Sequence, residues 1–347
     1  NDPTLWLQEL GIKVSNKKDE IKKFLDSKQP RKVIFSTYQS SKILAFNLSK
    51  LNIIPDLAFF DEAHNTTSSK VKVFGHLLSD KNLKIKNRLF LTATPKKLIG
   101  NNNKYYSMDD ESIYGKVIDE ITFKDAIEEL GMLNDYRIIT QLVTDTEVKK
   151  LLNNNPFVID QERLPEEAEL KLIASALTIK KAVKNTNIKH IISFHSRVNR
   201  ARLFSTGLKN IKNKIKINEF HVNGNQSGTV RQRILSEFVN KPPSLISNAR
   251  CLAEGVDVPA VDAVIFVDPK QSKIGITQAI GRALRKTKNQ KKGMSYILIP
   301  TIIDSKSSKN IEESYQEILM VLRSMSEHDG RIVEYFRLIK EGKKHPI

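Results

Sequence analysis

Asp61-Glu62-Ala63-His64 places two adjacent carboxylates and an imidazole directly after the apolar run Leu57-Ala58-Phe59-Phe60. Two acids at the tip of a buried strand are costly unless a cation or a water uses them. In phosphoryl-transfer motors such a pair divides the work: the first acid holds Mg²⁺, generally through water, and the second polarises the attacking water. The same pair also suits a plain strand that ends in solvated turn acids. Thr92-Ala93-Thr94-Pro95 follows the next apolar run, Arg88-Leu89-Phe90-Leu91. Its two hydroxyls can bond a neighbouring carboxylate or the chain after the acid pair, and Pro95 stops the strand.

A third constellation is Gln278-Ala279-Ile280-Gly281-Arg282-Ala283-Leu284-Arg285. On a helix Gln278, Arg282 and Arg285 fall at i, i+4 and i+7, along one face, and Gly281 would leave room for another backbone. Two guanidiniums on one stripe can clamp the charge that spreads over a transferring γ-phosphoryl group. Surface arginines in helix salt bridges would give the same spacing. The segment from Ser247 to Pro259 runs from a strand end into a turn holding Gly255, where main-chain amides can face phosphates and Asp257 can accept bonds from a sugar hydroxyl or an arginine. A simple connection flanked by Gly and Pro would read alike. Cys251, inside that segment, has nothing near it in sequence that marks a reactive thiolate.

These motifs need a scaffold, and the sequence supplies alternating strands and helices. The apolar, β-branched runs Val33 to Ser36, Leu57 to Phe60, Arg88 to Leu91, Ile138 to Val143, His190 to Phe194, Ser244 to Ser247, Val261 to Val267 and Ser295 to Ile299 read as buried strands. They lack polar alternation, as parallel strands covered on both faces do. Helical patterns lie between them at Pro165 to Val183, Val198 to Leu208 and Val230 to Val239, with two more at Ile311 to Met325 and Arg331 to Glu341. Repeated β-α units predict a doubly wound α/β fold with ligands at the carboxyl ends of the strands, where the motifs fall. The polar stretch Pro95 to Asp135, with Gly100-Asn101-Asn102-Asn103, reads as a loop bridging two domains. The expected layout is a first, incomplete domain with its linker over 1–135, a second domain over 136–305 and a helical extension over 306–347.

Bulk properties narrow the partners. The 347 residues carry 57 Lys and Arg against 39 acidic side chains, a formal charge of +18, which favours a polyanion through counterion release. No run of about 18 apolar residues predicts a membrane span. A single cysteine excludes an internal disulfide and a Cys-based zinc site, and points to an intracellular setting. The start at Asn1 carries no signal-peptide pattern and suggests a chain cut from something longer.

Taken in order, the segments Val33 to Ser40, Phe60 to His64, Leu91 to Pro95, Tyr106 to Asp110, Ile192 to Ser196, Asn248 to Pro259 and Gln278 to Arg285 resemble the superfamily-two helicases and translocases of the DEAH-box type. The similarity is greatest to the restriction-enzyme motor and predicted-helicase branch of bacteria, phages and large DNA viruses, and Leu322-Arg323 to His328-Asp329 is similar to that branch too. The resemblance implies two RecA-like doubly wound domains with ATP in the cleft between them. It assigns Asp61 to Mg²⁺, Glu62 to the attacking water, and His64, Thr92 and Thr94 to the nucleotide and the coupling of hydrolysis to movement. It makes Arg282 and Arg285 the arginine fingers with Gln278 in support. It gives Gly255 and Asp257 to the nucleotide contact. It places Thr37, Tyr38, Gln39, Ser193, Phe194, His195 and Asn248 at the nucleic-acid backbone, where contacts carry no sequence information. The branch implies duplex DNA as the track, and a nuclease or methyltransferase domain or subunit, if present, would lie outside these residues.

One departure stands out. The family's phosphate loop, G-x-x-x-x-G-K-[ST], cradles phosphates with backbone amides and a lysine. Gly115-Lys116 is followed by Val117, and Gly342-Lys343 by Lys344, so neither fits. The expectation is a first domain truncated at its start, with little or no ATP turnover by this chain alone. The alternative is a loop-less module that grips nucleic acid without hydrolysis.

Overall fold

The structure is a computed structural model that describes residues 14–67, 73–98, 105–144, 148, 166–210, 215–248, 261–268, 273–286, 293–303 and 308–341. The chain folds as two units, Asp2–Glu120 and Ile121–Ile347. The segment 121–135 therefore goes with the second unit rather than serving as a linker on the first. Hydrogen bonds explain the assignment: the Phe123 N–H donates to the His328 carbonyl at 2.8 Å, and the Asn134 N–H to the Leu284 carbonyl at 2.7 Å.

In the first unit, α1 (Lys18–Leu25) and α2 (Ser41–Lys50) bury Leu25, Ala45 and Leu48 against Leu83 and Ile85. Strands β1 (Leu57–Phe60) and β2 (Asn87–Phe90) pair in parallel. Phe60 points into a second cluster with Ala63, Leu78, Tyr106 and Tyr114, the last from the short α3 (Glu111–Tyr114). Its neighbour Phe59 is 63% exposed, so β1 is buried on one face only. Period-two alternation explains this, because the described residues cover a single face of the pair. The run Val33 to Ser36, expected as a strand, is exposed and forms none: Phe35 is 87% exposed and no ladder bond holds it. An apolar run becomes a strand only where a partner takes its backbone groups.

The second unit is a six-stranded, all-parallel sheet in the order β3-β8-β7-β4-β6-β5. Its strands are β3 (Asp135–Thr144), β4 (His190–Phe194), β5 (Asn218–Val222), β6 (Ser244–Asn248), β7 (Ala263–Phe266) and β8 (Met294–Ile303). Alternate side chains feed two separate cores. Ile191, Leu245, Ile265 and Leu298 meet α4 (Glu166–Asn185) and α5 (Val198–Asn210) through Ile173, Ile179 and Phe204. Ile192, Phe194, Ile246, Val264 and Ile297 meet α6 (Gly228–Asn240) through Phe238 and α7 (Lys273–Ala283) through Ile276 and Ile280. Helices on both faces explain why these strands read as continuous apolar runs. The expected RecA-like α/β class is thus the class observed.

The helices α8 (Ser308–Ser326) and α9 (Gly330–Lys340) belong to the second unit, since Val321, Met325 and Ile332 complete its second core. A polar clasp fixes the turn between them. The Arg331 guanidinium binds both oxygens of the fully buried Asp329, whose Oδ2 also accepts from the Tyr136 hydroxyl at 2.7 Å, and reaches Glu128 at 3.2 Å and Asp135 at 3.3 Å. Burial raises the Asp329 carboxyl, yet the bonds from Arg331 and Tyr136 outweigh it and hold the group below its ordinary range.

Candidate functional site

β1 ends in a strained turn that presents the acids. Asp61 is exposed, and Glu62 has φ 49° and ψ 47°, the left-handed region that costs a non-glycine residue about 1–2 kcal/mol. Local bonds hold the turn in place. The Glu62 N–H donates to Asp61 Oδ1 at 3.0 Å, the Ala63 N–H to the Leu91 carbonyl at 2.9 Å, and the Asn65 N–H to the Glu62 carbonyl at 2.9 Å. Such strain persists only where the surrounding structure over-determines it.

Glu62 and the two threonines converge on one imidazole. His64, buried, has Nδ1 at 3.3 Å from Glu62 Oε2, 3.0 Å from Thr92 Oγ1 and 3.5 Å from Thr94 Oγ1. Thr92 in turn accepts from the Thr94 N–H at 3.1 Å. Glu62 Oε2 is shielded from solvent and makes no hydrogen bond in the structure, although the carboxylate as a whole is 44% exposed. Oε2 thus faces the imidazole, and the exposed part of the carboxylate lies on its other oxygen. Among the described residues no group of three or more His, Cys, Asp or Glu could cage a metal.

An aromatic row supports the turn from beneath. Tyr38 stacks on Phe74 with centroids 5.7 Å apart and on Phe60 at 6.5 Å. Phe60 continues to Phe90 at 5.0 Å, and Phe90 to Tyr114 at 4.8 Å. The Tyr38 hydroxyl donates to the Asp61 carbonyl at 2.6 Å. Burial, with Asp61, Tyr114 and Glu62 close by, pushes the phenol up to about 12. On either side of it Thr37 and Gln39 are exposed.

In the second unit the expected stripe breaks. Gln278 and Arg282 share a face of α7, and Arg282 is 9% exposed. The helix ends at Ala283, however, and Arg285 lies beyond it in an antiparallel bridge to Leu133. Asn134 causes the break by taking the Leu284 carbonyl with its N–H and approaching the Arg285 carbonyl with Nδ2 at 3.4 Å. Arg285 is exposed and projects from extended chain, not from the helix face. A Cβ at Gly281 would meet nothing within 4 Å in this structure, so close backbone packing does not explain that glycine here.

Ser193, Phe194, His195 and Asn248, assigned to a nucleic-acid backbone by resemblance, are all buried at the carboxyl ends of β4 and β6. Ser193, Ser247 and His221 stand level across β4, β6 and β5. His195 Nε2 lies 3.0 Å from Ser193 Oγ and His221 Nδ1 lies 3.0 Å from Ser247 Oγ. Burial drives the His195 imidazole down to about 3, against the opposing pull of Asp268. Asp268 accepts from the Ser196 N–H and hydroxyl, each at 2.8 Å, and pairs with Arg200. The exposed groups here are Ser196, Arg197, Val198 and Asn199. The sequence reading missed this Asp268 network, because no local spacing links residues so far apart. Gly255, Asp257 and Cys251 lie outside the described residues, as does the stretch Gly100 to Asn103.

Residues 172–287 match the family described as helicase conserved C-terminal domain. A protein of African swine fever virus named as a probable helicase is 26% identical over 310 residues, 87% of this chain and 32% of its own length. An ATP-dependent RNA helicase of Saccharomyces cerevisiae is 28% identical over 115 residues, 33% of this chain and 22% of its own. Among solved structures, the ATP-dependent Type ISP restriction-modification enzyme LlaBIII bound to DNA superposes with a TM-score of 0.74 at 25% identity, over 90% of this chain and 23% of that one. Over residues 172–287 the chain is thus similar to helicases, and over most of its length to the African swine fever virus protein and to LlaBIII. It spans about a third of the length of the African swine fever virus relative, 32%. Among the described residues no helix is long and apolar enough to cross a membrane.

Proposed function

We propose that this chain is part of an ATP-driven superfamily-two helicase or translocase, with duplex DNA as the favoured track. The observation that carries the reading is the convergence of Glu62, Thr92 and Thr94 on His64 Nδ1 at the end of β1. Asp61 orients the Mg²⁺–ATP complex through water, and the ion supplies charge neutralisation on the phosphates. Glu62 accepts a proton from the attacking water and aligns it through the exposed side of its carboxylate, while Oε2 faces His64. His64 passes the state of Glu62 to Thr92 and Thr94. Arg282, supported by Gln278, and Arg285 stabilise charge on the transferring phosphoryl group. Gly255 and Asp257 complete the nucleotide contact. Thr37 and Gln39, with main-chain groups near Ser193 to His195 and Asn248, meet the nucleic-acid backbone. DNA is favoured because the LlaBIII structure is DNA-bound; the yeast relative keeps an RNA track as the variant reading. A nuclease or methyltransferase partner domain belongs to the same proposal.

One sequence feature favours a second reading. The chain contains no G-x-x-x-x-G-K-[ST], so by itself it turns over ATP very slowly or not at all, and a binding module without hydrolysis would have the same residues. The deciding experiment measures ATP hydrolysis by the natural protein containing this chain, with and without duplex DNA, alongside Glu62→Gln. The motor reading expects DNA-stimulated turnover in the parent, and ATP and DNA binding without turnover in the variant. Nucleic-acid binding with no hydrolysis in the parent would establish the binding module. Stimulation by RNA alone would move the track to RNA.

A further inference from the structure

The sequence places Tyr38 inside a run assigned to nucleic-acid contact, yet its side chain turns the other way from its neighbours. Thr37 and Gln39 are exposed, whereas Tyr38 is half-buried, stacked between Phe74 and Phe60, with its hydroxyl 2.6 Å from the Asp61 carbonyl. Residues 38–40 form one 3₁₀ turn capped at Thr37, whose carbonyl accepts from the Ser40 N–H at 3.0 Å and whose hydroxyl meets Ser40 Oγ at 3.2 Å. The three residues therefore move together. Whatever orders Thr37 and Gln39 from outside also orders the ring and its hydroxyl.

The bond it makes is placed where it matters most. The Asp61 carbonyl belongs to the peptide that leads into Glu62, the residue held in the left-handed region. A strained turn relaxes unless its surroundings over-determine it. From outside the turn, the Asp61–Glu62 peptide is held by Tyr38, which reaches it from 23 residues away. We infer that Tyr38 is a positioning residue: it fixes the Asp61–Glu62 turn in its reactive conformation and carries the ordering of Thr37 and Gln39 by a nucleic-acid strand to the two acids.

This inference rests on the reading of Asp61 and Glu62 as the reacting acids, and its test separates the two. Tyr38→Phe keeps both ring stacks and deletes the hydroxyl. In the natural protein containing this chain, kcat for DNA-stimulated ATP hydrolysis falls about tenfold, with KM for ATP and DNA affinity within about twofold. Stimulation by DNA falls more than the unstimulated rate, a change that simple loss of stability does not produce. Hydrogen exchange supplies the second measurement: amide protection over residues 61–64 drops in Tyr38→Phe and is unchanged in the second unit. Unchanged protection together with unchanged kcat overturns the inference. So does a collapse of DNA affinity with protection intact, which would make Tyr38 a strand-gripping residue. A parent protein without hydrolysis defeats the motor reading, while the exchange measurement still decides whether Tyr38 holds the turn.

Discussion

The Nδ1 atom of His64 lies 3.0 Å from the Thr92 hydroxyl, so the turn after β1 and the turn after β2 share one imidazole nitrogen. Nδ1 carries either one proton or one lone pair, and Glu62 Oε2 stands 3.3 Å away from the same atom. It can serve only one of these oxygens well at a time. In the structure the shorter contact is the one to Thr92.

Replacing His64 by Ala removes that choice. Hydrolysis should persist at a reduced rate while strand movement per ATP consumed falls, by about tenfold or more. A triplex-displacement assay run beside phosphate release measures the ratio. Equal loss in both would reassign His64 to holding the acids alone.

The two arginines separate at the end of α7, and their substitutions should separate as well. Arg282, nearly buried beside Gln278, is expected to lose about 10³-fold or more in turnover as Arg282→Lys, because a point charge lacks the planar fork. Arg285 is exposed on chain bridged to Leu133, and its loss as Arg285→Lys should match that of Arg282 only if nucleotide binding draws it in. Single-turnover hydrolysis with DNA affinity measured in parallel distinguishes them. A collapse of DNA affinity in Arg285→Lys, with hydrolysis per bound complex intact, would make Arg285 a strand contact.

Most strands of the second unit were legible because both of its cores need apolar side chains on both faces, and β4, β6, β7 and β8 show it. β5 escaped notice: Asn218-Glu219-Phe220-His221-Val222 is an edge strand, mostly half-buried, and its polar residues broke the pattern. Val33 to Ser36 failed in the opposite sense, apolar yet unpaired. The acid turn and its threonines were readable from local spacing. The end of α7 was not, since Asn134 sets it from 151 residues away. The inward turn of Tyr38 was equally hidden, because its partner is a backbone carbonyl and carries no side-chain identity.

Mild acid should destabilise the second unit through its buried imidazoles. His195 is held neutral in the fold at about 3, below the ordinary imidazole value near 6.5. The unfolded chain then binds one more proton between those values, so stability is full above about pH 6.5 and falls with decreasing pH by up to about 1.4 kcal/mol per unit. Urea unfolding of the chain at pH 7.5 and 5.5 measures it. His195→Gln should flatten the slope in part, because burial also lowers His221. An unchanged slope would show that His195 is already protonated or solvated.

The left-handed backbone at Glu62 carries a cost that only chemistry justifies. Glycine enters that region freely, so Glu62→Gly should stabilise the protein by up to about 1 kcal/mol after the entropy of the glycine is counted, and, on the proposed reading, abolish its turnover. The most stable residue at this position and the working one are different residues. If Glu62 is the water-activating carboxylate proposed above, selection for thermal robustness alone would act against it, and a library screened for heat resistance would lose Glu62 before it lost any residue of the two sheet cores.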